Sequence, residues 1–242
     1  MLKNFMLAAL VVTSAVFAEN STSNALANVK FGAHAAFNYG TVWGDNTDKF
    51  KFEGGPGFTG GFDVKVDVSP TVSIITGLEF EYRSIDWNIG EFYRSMAASQ
   101  DVYLDRDEES MISGMKFGFS LGYLNIPLMV RFNAHPQIFI DAGIRLGFNV
   151  SSEMEVSAYG MSNSIDVPKQ MQKDIDFGIV AGAGYSVMPN FDVFFRYTMG
   201  FTDMIDVVKI ASVTGEEVDY SEAPNVGFKN MRFQIGATFW FN

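Results

Sequence analysis

The sequence predicts an all-β fold: an eight-stranded antiparallel up-and-down transmembrane β-barrel with long extracellular loops and short periplasmic turns. Eight stretches alternate apolar and polar residues at every second position, which puts the two kinds on opposite faces of a strand. The connections between these stretches alternate strictly between long and very short. The composition agrees, because the 242 residues include 24 Phe, 9 Tyr and 23 Gly.

The first 18 residues are predicted to be a secretory signal peptide. Lys3 precedes an apolar run from Phe5 to Phe17, and Val16 and Ala18 suit a cleavage site after Ala18. The run is too short to span a bilayer as a helix. We therefore expect a signal peptide at 1–18 and a barrel domain at 19–242. The chain has no Cys, which excludes disulfides, a lipoprotein anchor and thiolate metal sites.

The first four strands are predicted at 28–40, 57–68, 71–83 and about 116–132. In the first three, apolar side chains alternate with polar ones or glycine; the apolar set includes Val29, Phe31, Phe37, Phe58, Phe62, Val64, Leu78 and Phe80. Ser69-Pro70 predicts a tight turn between the second and third strands.

The fourth strand changes the parity of its apolar residues. Leu121 and Tyr123 occupy odd positions, whereas Leu124 and Ile126 occupy even ones. A β-bulge at Gly122 would absorb the single residue of register. Pro127 would then point into the lumen, where its missing N–H costs one ladder hydrogen bond.

The last four strands are predicted at 137–150, 174–187, 190–202 and 229–242, with turns at 133–136 and at Pro189. The stretch NFDVFFRYTMGFT at 190–202 shows the pattern most clearly, with aromatic residues on one face and Asp192, Arg196 and Thr198 on the other. The long connections are then 41–56, 84–115, 151–173 and 203–228. Because long loops face outside in such barrels, both termini should be periplasmic.

A soluble lipocalin-like barrel would alternate as well, but with its apolar face inward, so the alternation alone does not say which face lines the lumen. The composition of the polar face predicts that this face lines it. That face carries at least eleven glycines, which suit a crowded concave interior, and outside the signal and loops it has nine acids and nine bases. Unpaired buried charges would be costly. We therefore expect an ionic core in which Arg145, Arg196 and Arg232 pair with carboxylates that include Asp141, Glu79, Glu81 and Asp192.

The long loops carry the whole charge imbalance, with 19 acids against 7 bases. This argues against nucleic acid as a partner. The acidic loops permit divalent cations, cationic peptides or basic partners, but a solvated acidic surface is the more common explanation. The run DRDEE at 105–109 lacks the spacing of a calcium loop. The stretch 95–110 looks mobile, and 207–213 could extend a hairpin above the membrane.

No catalytic, cofactor-binding or metal-binding residue is predicted, and no cofactor. GPGFTG at 55–60 matches a phosphate-loop pattern but opens a strand. His34 and His135 lie far apart in the predicted barrel, so a two-histidine metal site is not expected, and His34 is interpreted as structural. The tryptophans at 43, 87 and 240 fit interfacial girdles, although loop packing explains Trp87 equally.

Three segments resemble the outer membrane β-barrel family that includes the PorT-like proteins and the small opacity- and OmpX-type barrels: YLNIPLMVRF at 123–132, IFIDAGIRLGF at 138–148 and DFGIVAGAGYSV at 176–187. The C-terminal strand resembles the signal read by the barrel-assembly machinery, through Gln234, Gly236, Phe239 and Phe241, and departs from it in ending at Asn242. The resemblance implies the outer membrane and a barrel fold, but no substrate.

Three functions remain open at this point. The first is a non-enzymatic surface or structural protein whose loops bind an extracellular or envelope partner. The second is a narrow porin-like conduit, and the third is an outer-membrane enzyme that modifies lipid or peptide. Outer-membrane lipid and the barrel-assembly machinery are the expected partners, and a monomer is the expected state.

Overall fold

The computed structural model describes residues 28–44, 47, 51–99, 103, 105–106, 109, 116–158, 161–167, 173–204 and 227–241. These contain nine strands and an α-helix. Their bounds are β1 Val29–Trp43, β2 Phe52–Asp67, β3 Val72–Trp87, α1 Ile89–Ser99, β4 Lys116–His135, β5 Ile138–Ala158, β6 Met161–Asp166, β7 Ile175–Met188, β8 Phe191–Asp203 and β9 Lys229–Trp240. The predicted signal peptide and the predicted hairpin at 207–213 lie outside the described residues.

Eight of these strands form a closed antiparallel barrel. The sheet runs β4-β3-β2-β1-β9-β8-β7-β5, and pairing of β4 with β5 closes it. The first and last strands meet along Gly32 to Trp43 and Lys229 to Trp240. Closure removes the free edges of a sheet, which a bilayer does not tolerate. The predicted eight-stranded barrel is confirmed, with β7, β8 and β9 as its last three strands.

Apolar side chains cover the outside of the barrel. Phe62 is 70% exposed and Ile235 is 65% exposed, whereas their chain neighbours Asp63 and Gln234 are each 2% exposed. A water-soluble barrel would show the reverse pattern, with apolar groups inside. The polar face therefore lines the lumen, as the sequence predicts. No helix in the described part of the chain is long and apolar enough to cross a membrane.

The predicted bulge within β4 is wrong, although the register irregularity lies where it was expected. The pairing of β4 with β3 is in one register on both sides of Gly122. On the β5 side, Gly122 pairs with Ser151 and Tyr123 with Asn149, so the extra residue is Val150 of β5. Leu121 and Tyr123 keep the parity of the lumen residues and are buried inside the barrel. The apparent parity change reflects apolar residues that face inward near one mouth.

Pro127 interrupts the ladder as predicted. The pairing of β3 with β4 skips from Thr76 and Leu128 to Glu79 and Asn125. The hydroxyl of Thr76 donates instead to the carbonyl oxygen of Pro127 at 2.8 Å. This bond partly replaces the missing backbone contact.

Three connections predicted as loops contain regular structure. In 41–56, β1 continues to Trp43 and β2 begins at Phe52. β3 continues to Trp87, and α1 follows it, with the side-chain oxygen of Asn88 accepting from the N–H of Glu91 at 3.0 Å as an N-cap. Residues 95–99 thus belong to a helix and not to the loop that was predicted for 84–115. Within 151–173, β5 extends to Ala158 and pairs with β6 in a hairpin beyond the barrel rim. We call the mouth of the barrel beside this hairpin the loop end. We call the opposite mouth the turn end; it carries the turns at 68–71, 136–137 and 189–190.

Candidate functional site

The middle of the lumen is an ionic network around Arg232. Its guanidinium binds Glu79 at 2.7 Å through Nη2 and contacts Glu81 through Nη1. Asn125 donates to both carboxylates, at 3.0 Å to Glu79 and 2.8 Å to Glu81. Its side-chain oxygen accepts from Arg145 at 2.7 Å. These four residues come from β3, β4 and β5, and Arg232 comes from β9, so the network crosses the barrel.

Arg145 links this layer to the loop-end half of the lumen. Its Nη2 contacts Asp176 of β7, and its Nη1 lies 3.8 Å from a carboxylate oxygen of Glu81. Asn230 donates to the same Asp176 oxygen at 2.7 Å and to the Tyr123 hydroxyl at 3.4 Å. The chain of contacts therefore continues from Glu81 toward the loop end.

A second layer lies nearer the turn end. Arg131 binds Asp141 through Nε at 2.8 Å and Asp192 through Nη1 at 2.6 Å. Arg196 reaches Asp141 at 3.4 Å, and the indole N–H of Trp240 donates to Asp192 at 2.8 Å. Trp240 is only 2% exposed. The expectation that Trp240 forms part of a lipid-facing girdle is therefore wrong, because its even-numbered position on β9 points into the lumen.

His34 lies between two carboxylates in the lumen. Its Nδ1 is 2.8 Å from Asp63 and its Nε2 is 3.3 Å from Glu79. Asp63 is hydrogen-bonded to Nδ1 and Glu79 lies within ion-pair distance of Nε2, and two carboxylates this close to an imidazole favour its charged form. The buried ionic residues are then balanced: Asp63, Glu79, Glu81, Asp141, Asp176 and Asp192 against His34, Arg83, Arg131, Arg145, Arg196 and Arg232.

The predicted pairing is confirmed for Arg232 with Glu79 and Glu81 and for Arg196 with Asp141. Arg145 pairs with Glu81 at 3.8 Å, as predicted, but its shorter contact is with Asp176, and Asp192 pairs with Arg131. Sequence reasoning missed Asn125 because it considered only charged groups. The odd-numbered position of Asn125, which it shares with Arg131, was the signal that could have found it.

An apolar cluster closes the lumen at the loop end. Val42, Ile85, Leu121 and Tyr123 pack together there, with Phe52 and Met204 against them. The Arg83 guanidinium lies 5.2 Å from the Tyr123 ring centre, at the boundary with the ionic network. Above the cluster, Trp87 packs on Phe92 of α1 and on Phe117 of β4. Loop packing therefore accounts for Trp87, while Trp43 lies on the outer face beside Phe201.

The remaining sequence motifs lie at positions where they have structural roles in the barrel. The glycines of GPGFTG lie in β2, where a β-carbon on Gly57 would come within 2.2 Å of Asn38 Oδ1 and of the Tyr82 carbonyl oxygen. Gly55 and Gly57 permit close approach of neighbouring strands, whereas Gly60 has room for a β-carbon. His135 ends β4 at the turn end, away from His34. The described residues contain no group of three or more His, Cys, Asp or Glu that could hold a metal ion. Glu109 of the run DRDEE has its carboxylate 3.6 Å from the Arg94 guanidinium of α1.

The comparison with protein families identifies the kind of barrel. The family described as the outer membrane protein beta-barrel domain matches residues 17–206. A search of curated proteins gives no match. Similar solved structures include Ail, the attachment invasion locus protein of Yersinia pestis, at 12% identity and a TM-score of 0.42, covering 88% of this chain and 98% of that one.

Two further structures show the range of proteins with a similar barrel. Neisserial surface protein A has 12% identity and a TM-score of 0.47, covering 86% of this chain and 96% of that one. The outer membrane protease OmpT of Escherichia coli has 10% identity and a TM-score of 0.31, covering 88% of this chain and 95% of that one.

Proposed function

The chain belongs to the outer membrane β-barrel protein family, and from that premise we propose that it is a non-enzymatic surface protein in which a filled barrel presents the loop end to a partner outside the cell. The outer membrane is its location. Long loops face outside and short turns face the periplasm in such barrels, so both termini lie on the periplasmic side in this proposal.

The observation that carries the proposal is the burial of the lumen side chains. Arg83, Arg131, Arg145 and Glu81 are each at most 2% exposed. Side chains that line a water-filled channel would be exposed to that water. An interior of eight strands is just wide enough to be filled by side chains. The burial of these side chains favours a surface protein with a filled barrel rather than a porin-like conduit.

The loop end offers the surfaces that a partner can reach. The β5–β6 hairpin and α1 both project there, and Tyr93 of α1 is 44% exposed. The connections predicted as loops carry 19 acids and 7 bases. Opposite charge on a partner would speed encounter with such a surface. A basic protein or peptide is therefore the partner class that we propose.

Loop replacement tests the proposal. Short turns in place of 88–115 and 204–228 should leave export and barrel assembly intact, because neither segment lies in the barrel wall. Binding of a basic probe such as polylysine to whole cells should fall to the level of cells that lack the protein. A matched control replaces the turn at 68–71, which is at the opposite end, and should keep binding. Full binding by the loop-replaced protein would overturn the proposal.

A further inference from the structure

Two lysines face each other at the turn end of the lumen. Lys30 of β1 and Lys65 of β2 are direct register partners. Both belong to the inward-facing set, since Lys30 shares its parity with His34 and Lys65 shares its parity with Asp63. Like charges directly opposite each other on neighbouring strands destabilise a sheet. The arrangement therefore has a cost that the barrel alone does not explain.

Neither ammonium group has an ion pair among the described residues. Asp67 shares the rim, but its Oδ1 accepts from the Ser73 hydroxyl at 2.7 Å. The nearest deeper carboxylate, Asp192, already accepts from Arg131 at 2.6 Å, Ser186 at 2.7 Å and Trp240 at 2.8 Å. Asp192 is thus engaged by other groups, whereas Asp67 keeps its negative charge at the rim and offsets part of the charge of the two lysines.

The loop end provides an internal comparison. Lys229 lies 5.2 Å from the ring centre of Trp43, and Asp203 neutralises it at 3.9 Å. Lys65 lies in the same way over Trp240, at 4.7 Å. Both mouths thus have a lysine against a tryptophan, on the outer face at the loop end and in the lumen at the turn end. Of these two lysines, only Lys229 has an ion pair among the described residues.

The two lysines open onto a polar bowl. It has a volume of about 560 Å³ and lies between the short turns, with Asn28, Asn133, Ser69 and Ser186 in its wall. This volume falls within the range of ligand sites, roughly 300 to 1,000 Å³. The amide groups of Asn28 and Asn133 can donate hydrogen bonds to an anionic oxygen, whereas the Ser186 hydroxyl already donates to Asp192. Asp67 also lies in the wall, so the bowl combines room and donors with two lysines against one carboxylate, which leaves one positive charge in excess.

We propose that this bowl is an oxyanion-binding site in which Lys30 and Lys65 bind a phosphate or carboxylate group of a ligand on the turn-end side. The bound anion neutralises the positive charge that Asp67 leaves in excess. Binding of the anion also offsets the repulsion between the two ammonium groups. This site lies at the opposite end from the loops and does not depend on the proposed surface function.

Calorimetric titration tests the site directly. The full mature protein, folded in an uncharged maltoside detergent at constant chloride, is titrated with pyrophosphate and, separately, with citrate. We expect saturable binding of at least one of them at one site. Binding of pyrophosphate alone identifies phosphate as the ligand chemistry, and binding of citrate alone identifies carboxylate. Lys65→Gln and Lys30→Gln should each weaken binding about tenfold, and the double variant should abolish it.

Lys229→Gln is the matched control, because Lys229 makes the same contact with a tryptophan at the other mouth; its affinity should stay within about twofold of the parent. Without ligand, Lys30→Gln should raise the urea midpoint of unfolding, since it removes the like-charge pair. The absence of saturable binding by either probe at about 10 mM would overturn the proposal. Unchanged binding by the double variant would overturn it as well, and so would a lowered midpoint for Lys30→Gln.

Discussion

Arg131 and Asp141 are register partners on β4 and β5, and two hydrogen bonds join them, Nε to Oδ1 at 2.8 Å and Nη2 to Oδ2 at 3.0 Å. The third nitrogen of Arg131 donates to Asp192 of β8 at 2.6 Å. The guanidinium also lies 3.4 Å from the ring centre of Phe139. One side chain thus connects three strands through the lumen.

Loss of Arg131 should destabilise the barrel. Arg131→Ala leaves Asp141 and Asp192 buried without their main cation, and breaking a buried pair in this way costs about 3 to 5 kcal/mol. Urea unfolding in detergent, followed by the mobility difference between heated and unheated protein on gels, measures the change. Arg94→Ala is the control, because its pair with Glu109 at 3.6 Å is exposed; it should cost less than about 1 kcal/mol. Equal effects of the two variants would contradict a buried network.

His34 should be required as a cation between its two acids. His34→Leu leaves Asp63 and Glu79 facing an apolar side chain, and we expect a loss of about 3 kcal/mol in the free energy of unfolding. A double variant that also carries Asp63→Leu should recover part of this loss, because it removes one uncompensated carboxylate. His135→Gln, at the exposed end of β4, should change stability by less than about 0.5 kcal/mol. An unchanged free energy of unfolding for His34→Leu would show that the charge balance is not needed for stability.

Adjacent glycines of β2 should respond in opposite ways to the same substitution. A β-carbon on Gly61 would lie 2.3 Å from the Leu78 carbonyl oxygen and 2.8 Å from Glu79 Cα, whereas one on Gly60 meets only the His34 carbonyl oxygen at 3.7 Å. Gly61→Ala should therefore cost about 1 to 3 kcal/mol through overpacking. Gly60→Ala should be tolerated. Both are measured by urea unfolding, and equal tolerance would mean that the lumen is less crowded than described.

The fold was predictable because the alternation has a period of two and fixes which residues share a face. The lumen arginines and acids followed from that parity, as Arg232 and Glu79 show. The partners of Arg145 did not follow, because parity gives the face but not the height in the lumen, which depends on strand stagger. The inward apolar cluster around Leu121 and Tyr123 was missed for a different reason. A purely polar lumen was assumed, so inward apolar residues were interpreted as a change of register.

The orientation of the barrel can be tested because the chain has no Cys. Ser95→Cys places a thiol on the exposed part of α1, and Gln137→Cys places one in an exposed short turn. A maleimide that does not cross the outer membrane should label Ser95→Cys on intact cells and leave Gln137→Cys unlabelled. In permeabilised cells the maleimide should label both cysteines, which shows that each thiol can react when the reagent reaches it. Labelling of Gln137→Cys alone on intact cells would invert the orientation proposed here.

The filled lumen is the central claim, and conductance across a planar bilayer tests it most directly. Purified protein inserted in a planar bilayer should show no steady conductance above that of the bare membrane, because the layers around Arg232 and Arg131 leave their side chains buried from water. Insertion is verified independently by the resistance of the barrel to protease. Absence of current with protein inserted is the result that a filled barrel predicts. A large, steady single-channel conductance from the unaltered protein would contradict it and would favour the conduit.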